Sequence, residues 1–265
     1  MPVYTHMPDA EYFALPAISR SGLSAFAAGK PKNLGRVGLI GEVCHARVLE
    51  GKAAVRERYA FADSDWALNT KEGKASMLAF ETLTGKRAVR PAELKDIGAM
   101  LTAFGQSAVG KRFMETHGDS EVVIVDRLEG FETECKCRID RVSHDDFGVP
   151  HCLVDLKTTG RRTQEEFIDA IVDYGYAAQA WWYRALYAAA TGKWLPFAFA
   201  CISKRPPYEC WTQRVTNEQM AFGGRWCKDV LALYEYVADL EDVLVDERLM
   251  PLNERRTETW KSART

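Results

Sequence analysis

Two aspartates and a lysine are the residues of this sequence whose spacing is best suited to chemistry. Asp155 and Lys157 flank Leu156 in a short apolar run, and Asp140 ends an alternating run that precedes it. Side chains alternate along a strand, so Asp155 and Lys157 project from the same face, and pairing of the two runs would bring Asp140 beside them. We therefore expect two carboxylates and one ammonium group to converge.

This convergence has a specific chemical use. Two carboxylates a few ångströms apart repel each other, and a divalent cation such as Mg²⁺ relieves the repulsion while also binding phosphate oxygens. A lysine beside the ion can orient the attacking water, so the set suits hydrolysis of a phosphodiester. The simpler interpretation of Asp155 and Lys157 is a surface ion pair. However, the neighbouring Leu153, Val154 and Leu156 indicate a buried strand, where an unpaired charge is costly.

Three further residues could extend such a site. His45 lies on a predicted helix whose apolar stripe faces the sheet, where a hydrogen-bonded core histidine is the common alternative to a metal ligand. Gln179 and Tyr183 are four residues apart and share a helical face. They either form a half-buried aromatic face beside Trp181 and Trp182 or reach into the cleft, to bind phosphate or position DNA.

The chain around these candidates changes from helical to strand periodicity and back. Strand patterns occur at 121–126, 132–141, 152–157, 194–202 and 209–215, and the first three predict an antiparallel meander. Alternation within the second predicts one buried face and one polar face, the latter carrying Glu134, Lys136, Arg138 and Asp140. Helices are predicted at 21–28, 37–49, 69–83, 91–115, 176–190 and 217–240, and another begins at 163. This order predicts an α/β fold, a mixed sheet with helices packed on it.

Composition and charge limit the class of protein. The 265 residues are 47% hydrophobic and 27% charged, and we expect a single domain with a core at about 18–240 and a C-terminal tail at 241–265. A formal net charge of −2 excludes a uniformly basic surface, so binding to DNA would need local positive charge. No apolar run approaches the roughly 20 residues of a membrane helix, and the N-terminus has no secretory pattern. The seven cysteines include no Cys-x-x-Cys pair, which argues for free thiols in a cytoplasm and against a Cys-ligated metal.

Taken together, these residues resemble the RecB-like nucleases of the PD-(D/E)XK superfamily, and most closely the exonuclease VIII (RecE) nuclease domain of phages and prophages. His45, Asp140, Asp155-Leu156-Lys157 and Gln179-x-x-x-Tyr183 occur in the order seen in that family. Further matching segments are Ile18–Phe26, Gly41–His45, Asn69–Ala75, Ser120–Glu121, Val154–Thr159 and Tyr174–Tyr176. The resemblance spans about residues 18 to 215. Arg20 departs from it, because lysine is common at that position, and the large N-terminal extension of the long exonuclease VIII proteins is absent.

The resemblance implies a restriction-endonuclease-like core, with a mixed sheet flanked by helices, and a role for each matching residue. The implied metal ligands are His45, Asp140, Asp155 and the backbone carbonyl of Leu156. Lys157 corresponds to the catalytic lysine, and Glu121 corresponds to an acidic residue at the metal site. Gln179 and Tyr183 correspond to residues that contact the DNA strand, and Lys71 and Lys74 would add to a basic wall of the cleft.

The implied activity is Mg²⁺-dependent degradation of linear double-stranded DNA from 5′ to 3′, with Mn²⁺ as a substitute ion. The family acts in phage-type recombination in the bacterial host cytoplasm, where its product is passed to a single-strand annealing protein. It includes ring-shaped homo-oligomers. Three alternatives remain open at this point: a structure-selective endonuclease, a single-strand exonuclease, and a non-catalytic DNA-end-binding module on the same fold.

Overall fold

The computed structural model describes residues 3–5, 7–30 and 35–244, and within them a mixed sheet is flanked by helices. The strands are β1 (Val3–Thr5), β2 (Ile18–Ser19), β3 (Tyr59–Phe61), β4 (Arg87–Val89), β5 (Gly118–Arg127), β6 (Glu134–His144), β7 (Pro150–Thr159), β8 (Phe197–Ser203) and β9 (Cys210–Arg214). The helices are α1 (Asp9–Ala14), α2 (Arg20–Ala28), α3 (Leu39–His45), α4 (Lys52–Arg58), α5 (Lys71–Thr84), α6 (Pro91–Gln106), α7 (Ala108–Glu115), α8 (Gln164–Asp173), α9 (Tyr176–Thr191) and α10 (Asn217–Leu244). A 3₁₀ turn (Gly35–Gly38) and a π-helical turn (Ala46–Glu50) flank α3. None of these helices is long and apolar enough to span a membrane.

The main sheet has the strand order β1-β5-β6-β7-β8-β9, with β2 also paired to β6. Strands β5, β6 and β7 form the predicted antiparallel meander, which is confirmed. The chain then crosses over through α8 and α9, so β8 pairs parallel to β7 and β9 returns antiparallel. Strands β3 and β4 form a separate two-stranded sheet.

Strands β6 and β7 stay together over only part of their length. Their pairing runs from His144 to Arg141 on β6, where Arg141 faces Val154 of β7. Towards the N-terminal end of β6, its neighbour on this side is β2, which pairs parallel to β6 at Cys135 and Lys136. At Asp140, β6 and β7 are therefore no longer paired, and a gap lies between these two strands.

Within the described part of the chain, two apolar cores lie on the sheet. The larger core contains Trp182, Phe167 and Phe199 and is formed with α8, α9 and α10. The second core contains Leu39 of α3 and Met100 of α6, and both helices contact β7 or β8. The cores hold α3 and α9 against the gap between β6 and β7, and these are the helices that carry His45 and Gln179.

Several sequence predictions are wrong in detail. The predicted helix 91–115 is broken at Ser107, which ends α6 and caps α7 by accepting a hydrogen bond from the backbone N–H of Gly110. A side chain at Gly110 would not fit, because its Cβ would lie 1.8 Å from the carbonyl oxygen of Phe104. The predicted strand 194–202 begins only at Phe197.

Other differences concern the polar face of β6 and the ends of the chain. Lys136 and Asp140, predicted on a polar face, are buried. The predicted tail 241–265 begins inside α10, which continues to Leu244, and its remaining residues lie outside the described part of the chain. The segments β1, α1, β2, α4 and the β3–β4 pair were not predicted, because each is too short for periodicity to show. The seven cysteines, all within the described residues, are free as expected.

The packing predicts how stability responds to truncation of leucine side chains. Leu153 is fully buried in the larger core, whereas Leu83 on α5 is 87% exposed. We expect Leu153→Ala to lower the free energy of unfolding by about 2–5 kcal/mol, because the substitution leaves a cavity. The control, Leu83→Ala, should change it by no more than about 0.5 kcal/mol. Urea denaturation measures both, and similar values for the two variants would contradict the assignment of the core.

Candidate active site

Asp140 lies where β6 and β7 separate, and its side chain replaces part of the broken strand pairing. The backbone N–H of Leu156 on β7 donates a buried hydrogen bond of 2.7 Å to Oδ2 of Asp140. A buried N–H needs an acceptor, and the β6 backbone no longer supplies one here. The carboxylate is thereby fixed at the mouth of the gap, facing β7.

The buried Asp155 and the partly buried Lys157 form an ion pair on the same face of β7. The ammonium Nζ of Lys157 lies 2.5 Å from Oδ2 of Asp155. Asp155 is 1% exposed, and the Lys157 ammonium also lies over the rings of Tyr176 and Phe199, at 5.1 Å and 5.7 Å from their centres. The pair is therefore not the surface ion pair that was the simpler interpretation.

The amide of Gln179 connects α9 to this pair. Its Nε2 donates to Oδ1 of Asp155 at 2.7 Å and to the hydroxyl of Tyr183 at 2.9 Å. Burial raises the pKa of Tyr183 well above its ordinary value, so the phenol stays neutral. Gln179 and Tyr183 thus reach the cleft, and Gln179 fixes the orientation of the Asp155 carboxylate.

His45, the last residue of α3, approaches the site from the opposite helical layer. Its Nδ1 lies 3.5 Å from Oδ2 of Asp140, and the imidazole hydrogen-bonds to the backbone of Leu156. Burial, followed by the positive charge of Lys157, lowers the pKa of His45 to about 4. The imidazole is therefore neutral at pH 7, which is the form that binds metals.

Glu121 of β5 faces the same cluster from an unusual backbone position. It stands between the paired residues Ser120 and Val122 with a φ of 54°, in the left-handed region. Its Oε2 lies 2.9 Å from Nε of Arg138. Burial, with the negative charge of Asp140 as the next cause, raises the pKa of Glu121 to about 8. The sequence contained no signal for this conformation, since glutamate seldom adopts it.

The electrostatics of the site are dominated by buried acids. Burial raises the pKa of Asp155 to about 6 and also raises the pKa of Asp140, and the charge of Lys157 opposes both shifts. Burial lowers the pKa of Lys157, but the charges of Asp155 and Asp140 outweigh this effect, so the pKa is raised overall. A cation beside the two aspartates would reduce the repulsion that their ionised forms feel.

The donor set fits a hard divalent ion. It offers the carboxylates of Asp140 and Asp155, the neutral imidazole of His45 and the backbone of Leu156, and carboxylate oxygens are the ligands that Mg²⁺ prefers. Oδ2 of Asp155 is buried and lacks a hydrogen bond of normal geometry, although Lys157 lies beside it. Within the described residues, no three His, Cys, Asp or Glu side chains already surround one point as a metal site would. The aspartates instead accept bonds from protein donors.

The predicted basic residues lie elsewhere. Lys71 and Lys74 are exposed on α5, which contacts β4, and the structure does not bring them into the cluster of aspartates. Arg138, which binds Glu121 and Asp9, was missed as a site residue. Its signal was its position two residues before Asp140 on the same alternating strand.

Comparison with known proteins addresses the fold. The sequence matches the family described as a PDDEXK-like domain of unknown function (DUF3799) over residues 30–242. A crystal structure from Eubacterium rectale, described as a "Putative exonuclease", is similar with a TM-score of 0.62 and 16% identity, covering 92% of this chain and 89% of that chain. The crystal structure of SSO0001 has 15% identity and a TM-score of 0.28, and the match covers 76% of this chain and 87% of that chain. No curated protein matches the sequence.

The raised pKa of Glu121 predicts how stability depends on pH. A carboxyl group whose pKa is about 8 in the folded state and 4.5 in its ordinary state binds its proton more tightly in the folded protein. The charged form therefore destabilises the fold above pH 8, and this effect disappears as the pH falls towards 4.5. Without metal, Glu121→Gln should raise the free energy of unfolding at pH 9 by more than about 1 kcal/mol, and much less at pH 5.

The measurement is urea denaturation of wild type and variant at pH 5, 7 and 9 in EDTA. Glu134→Gln, at an exposed position of β6, controls for the loss of one negative charge. A Glu121→Gln effect of equal size at pH 5 and pH 9 would contradict the assigned pKa.

Proposed function

Because the chain belongs to the PDDEXK-like domain family DUF3799, we propose that it is a divalent-metal-dependent nuclease that degrades linear double-stranded DNA from its ends. The observation that carries the proposal is the convergence of Asp140, Asp155, Lys157 and His45 at the gap between β6 and β7. Buried like charges are costly to keep without a partner. A divalent ion would be such a partner, and with it these four residues are suited to phosphodiester hydrolysis.

The proposed metal is Mg²⁺, with Mn²⁺ as a substitute. Asp140, Asp155, His45 and the Leu156 carbonyl would hold it, and Glu121 would act nearby. When bound, the ion supplies Lewis-acid activation of water and phosphate.

Side chains of the protein would position the attacking water and the metal ligands. The ammonium of Lys157 is fixed between Asp155 and two aromatic rings, where it can hold the attacking water in line and balance charge on the phosphate. Its raised pKa keeps it charged at pH 7. Gln179 keeps Asp155 in one orientation, so the carboxylate needs no reorganisation when substrate binds.

From the resemblance to exonuclease VIII (RecE) nucleases we further infer 5′-to-3′ polarity and DNA contacts from Gln179 and Tyr183. The same resemblance supports a basic wall that includes Lys71 and Lys74, and a ring-shaped homo-oligomer. A single-strand annealing protein would use the product during phage-type recombination in a bacterial host cytoplasm. The similar crystal structure from Eubacterium rectale is described as that of an exonuclease, which supports this choice of activity.

Removal of the Lys157 ammonium group tests the catalytic assignment. We expect Lys157→Met to lower the rate of DNA cleavage by at least about 100-fold, because an electrostatic contribution of this kind is lost. Methionine keeps the apolar stem against Tyr176 and Phe199, so the fold should persist. The exposed Lys193→Met is the matched control and should cleave at the wild-type rate.

The readout is nucleotide release from end-labelled linear duplex in Mg²⁺, with circular dichroism and thermal unfolding to verify the fold. Excess EDTA should abolish release by the wild type. Undiminished activity of a folded Lys157→Met protein, or in excess EDTA, would refute the metal-dependent mechanism.

The form of the DNA separates the proposed activity from its alternatives. An end-dependent enzyme should degrade linear duplex and leave a covalently closed circle intact, because the circle offers no end. A label at the 5′ end should be released before a label at the 3′ end if the polarity is 5′ to 3′. Cleavage of the circle would favour the endonuclease, a preference for single strands would favour the single-strand exonuclease, and binding without release would favour the non-catalytic module.

A further inference from the structure

The N-terminal arm, which consists of β1 and α1, lies against β5 and β6 beside the aspartate cluster. Strand β1 pairs antiparallel with β5, and the pair Thr5–Val122 comes directly next to Glu121. Helix α1 then packs on β6, over the face that Arg138 shares with Asp140. The arm therefore contacts both strands where they carry acids of the candidate site.

Lys136 and Tyr12 anchor α1 to β6. The ammonium of Lys136 donates to the carbonyl oxygens of Tyr12 and Leu15, at 3.0 Å and 2.8 Å, at the C-terminal end of the helix. The ring of Tyr12 is buried and contacts two cations, with Nζ of Lys136 at 5.0 Å and the guanidinium carbon of Arg138 at 4.9 Å from its centre. Cations are attracted to the face of an aromatic ring, so these contacts fix the position of α1 on the strand.

Asp9, at the start of α1, is joined to Glu121 through the guanidinium group of Arg138. Nη1 of Arg138 donates to Oδ1 of Asp9 at 2.5 Å, and Nε of the same group lies 2.9 Å from Oε2 of Glu121. The second oxygen of Asp9 lies 3.9 Å from Nη1 of Arg58, which is itself paired with Glu50. One planar group thus binds two carboxylates through different nitrogens, and both carboxylates set its orientation.

Glu121 needs this support because of its place in the sheet. Its neighbours on β5 pair with Ile139 and Arg141, so Glu121 lies opposite Asp140 of β6. Two carboxylates placed in this way repel each other when both are ionised. The left-handed backbone of Glu121, with a φ of 54°, is also a conformation that persists only where surrounding contacts hold it. The contact with Arg138 holds the Glu121 carboxylate against both effects.

We propose that the N-terminal arm is part of the active site, and that Asp9 is a positioning residue that acts through Arg138 on Glu121. The inference rests on the proposed nuclease function and deepens it, because Asp9 precedes residues 30–242, the segment that matches the family. Without the Asp9 carboxylate, the guanidinium group would be fixed on one side only and could turn away from Glu121. Glu121 would then take other positions relative to Asp140, and the chemical step would slow while binding of DNA would not change.

The first test removes the charge of Asp9, with Glu11→Gln as the matched control. Both residues are acids in the first turn of α1, but Glu11 is exposed. We expect Asp9→Asn to lower kcat on end-labelled linear duplex at least about tenfold, because a displaced active-site group slows the reaction. KM should change by less than about twofold, and Glu11→Gln should keep both wild-type values. A folded Asp9→Asn protein with the wild-type kcat would overturn the proposal.

The second test asks whether Asp9 acts through Glu121. Asp9→Asn is combined with Glu121→Gln, and kcat is measured for the two single variants and the double variant. Residues that act as a unit have non-additive effects, so Asp9→Asn should lower kcat by less than about twofold once Glu121→Gln is present. The same tenfold loss in both backgrounds would overturn the proposal, because a general loosening of the fold would produce it.

Arg138→Lys is a second variant that keeps the proposal testable if Asp9→Asn is unfolded by circular dichroism. Lysine retains the positive charge, but its single nitrogen cannot reproduce bonds to Asp9 and Glu121 from separate nitrogens. We expect Arg138→Lys to lower kcat at least about tenfold, whereas Arg127→Lys, at an exposed position of β5, should cleave like the wild type. A folded Arg138→Lys protein with the wild-type kcat would contradict the role of the guanidinium group.

Urea denaturation in EDTA measures the contact between Asp9 and Arg138 without metal or DNA. Asp9→Asn should lower the midpoint of unfolding in the wild type, and by less than half as much when Arg138→Met is present, because the partner is then already lost. An equal shift in the two backgrounds would overturn the proposed chain of contacts.

The failure of this inference can be told from the failure of the proposed function. A wild type that cleaves DNA, together with a folded Asp9→Asn protein of the same kcat, would refute the role of Asp9 alone. A wild type that does not cleave DNA in Mg²⁺ or Mn²⁺ would refute the nuclease function, and with it the role of Asp9 in catalysis.

Discussion

The hydrogen bond between the Leu156 N–H and the carboxylate of Asp140 is the constraint on which the site depends. It forms where two neighbouring strands separate, and leaving the buried N–H without an acceptor would cost about 1–3 kcal/mol. A carboxylate meets this need, but it brings a charge into a region with little water. The surrounding groups accommodate that charge. Lys157 offsets it, His45 contributes a neutral imidazole, and Gln179 donates a hydrogen bond to the second aspartate, Asp155.

The fold keeps these groups in place by packing helices on both sides of the gap. Helix α3 brings His45 from the core that contains Leu39 and Met100, whereas α9 brings Gln179 from the core that contains Trp182. The indole N–H of Trp182 donates to the carbonyl oxygen of Lys136 at 3.0 Å, which ties α9 directly to β6 beyond the point of separation. Neither helix can shift without disturbing a buried core, so the site is held before any ligand arrives.

The parts of this arrangement that the sequence predicts are those that depend on local alternation. Asp155 and Lys157 share a face because they are two residues apart, and the meander follows from three short apolar runs with tight connections. The burial of Lys136 and the left-handed conformation of Glu121 depend instead on distant segments. Lys136 is covered by α1, whose six residues are too few to carry a periodic signal, and its ammonium binds carbonyl groups of that segment and the residue after it. The exposed positions of Lys71 and Lys74 likewise depend on how α5 packs, which periodicity does not determine.

The net charge of −2 does not describe the surroundings of the candidate site, because the positive and negative charges there are separated in space. The gap between β6 and β7 contains the acids Asp140 and Asp155 with one lysine. Arg20 and Lys136 line a neighbouring cavity of about 270 Å³, and within the described residues no acidic side chain lines it. Gln179 lies between them as a neutral amide, so neither group of charges cancels the other at contact distance. A polyanion laid across this boundary would place its phosphates near the positive cavity, whereas the acidic gap would repel it until a cation is bound there. For the proposed nuclease, this separation of charge would make binding of the strand and binding of a divalent ion mutually favourable at one site.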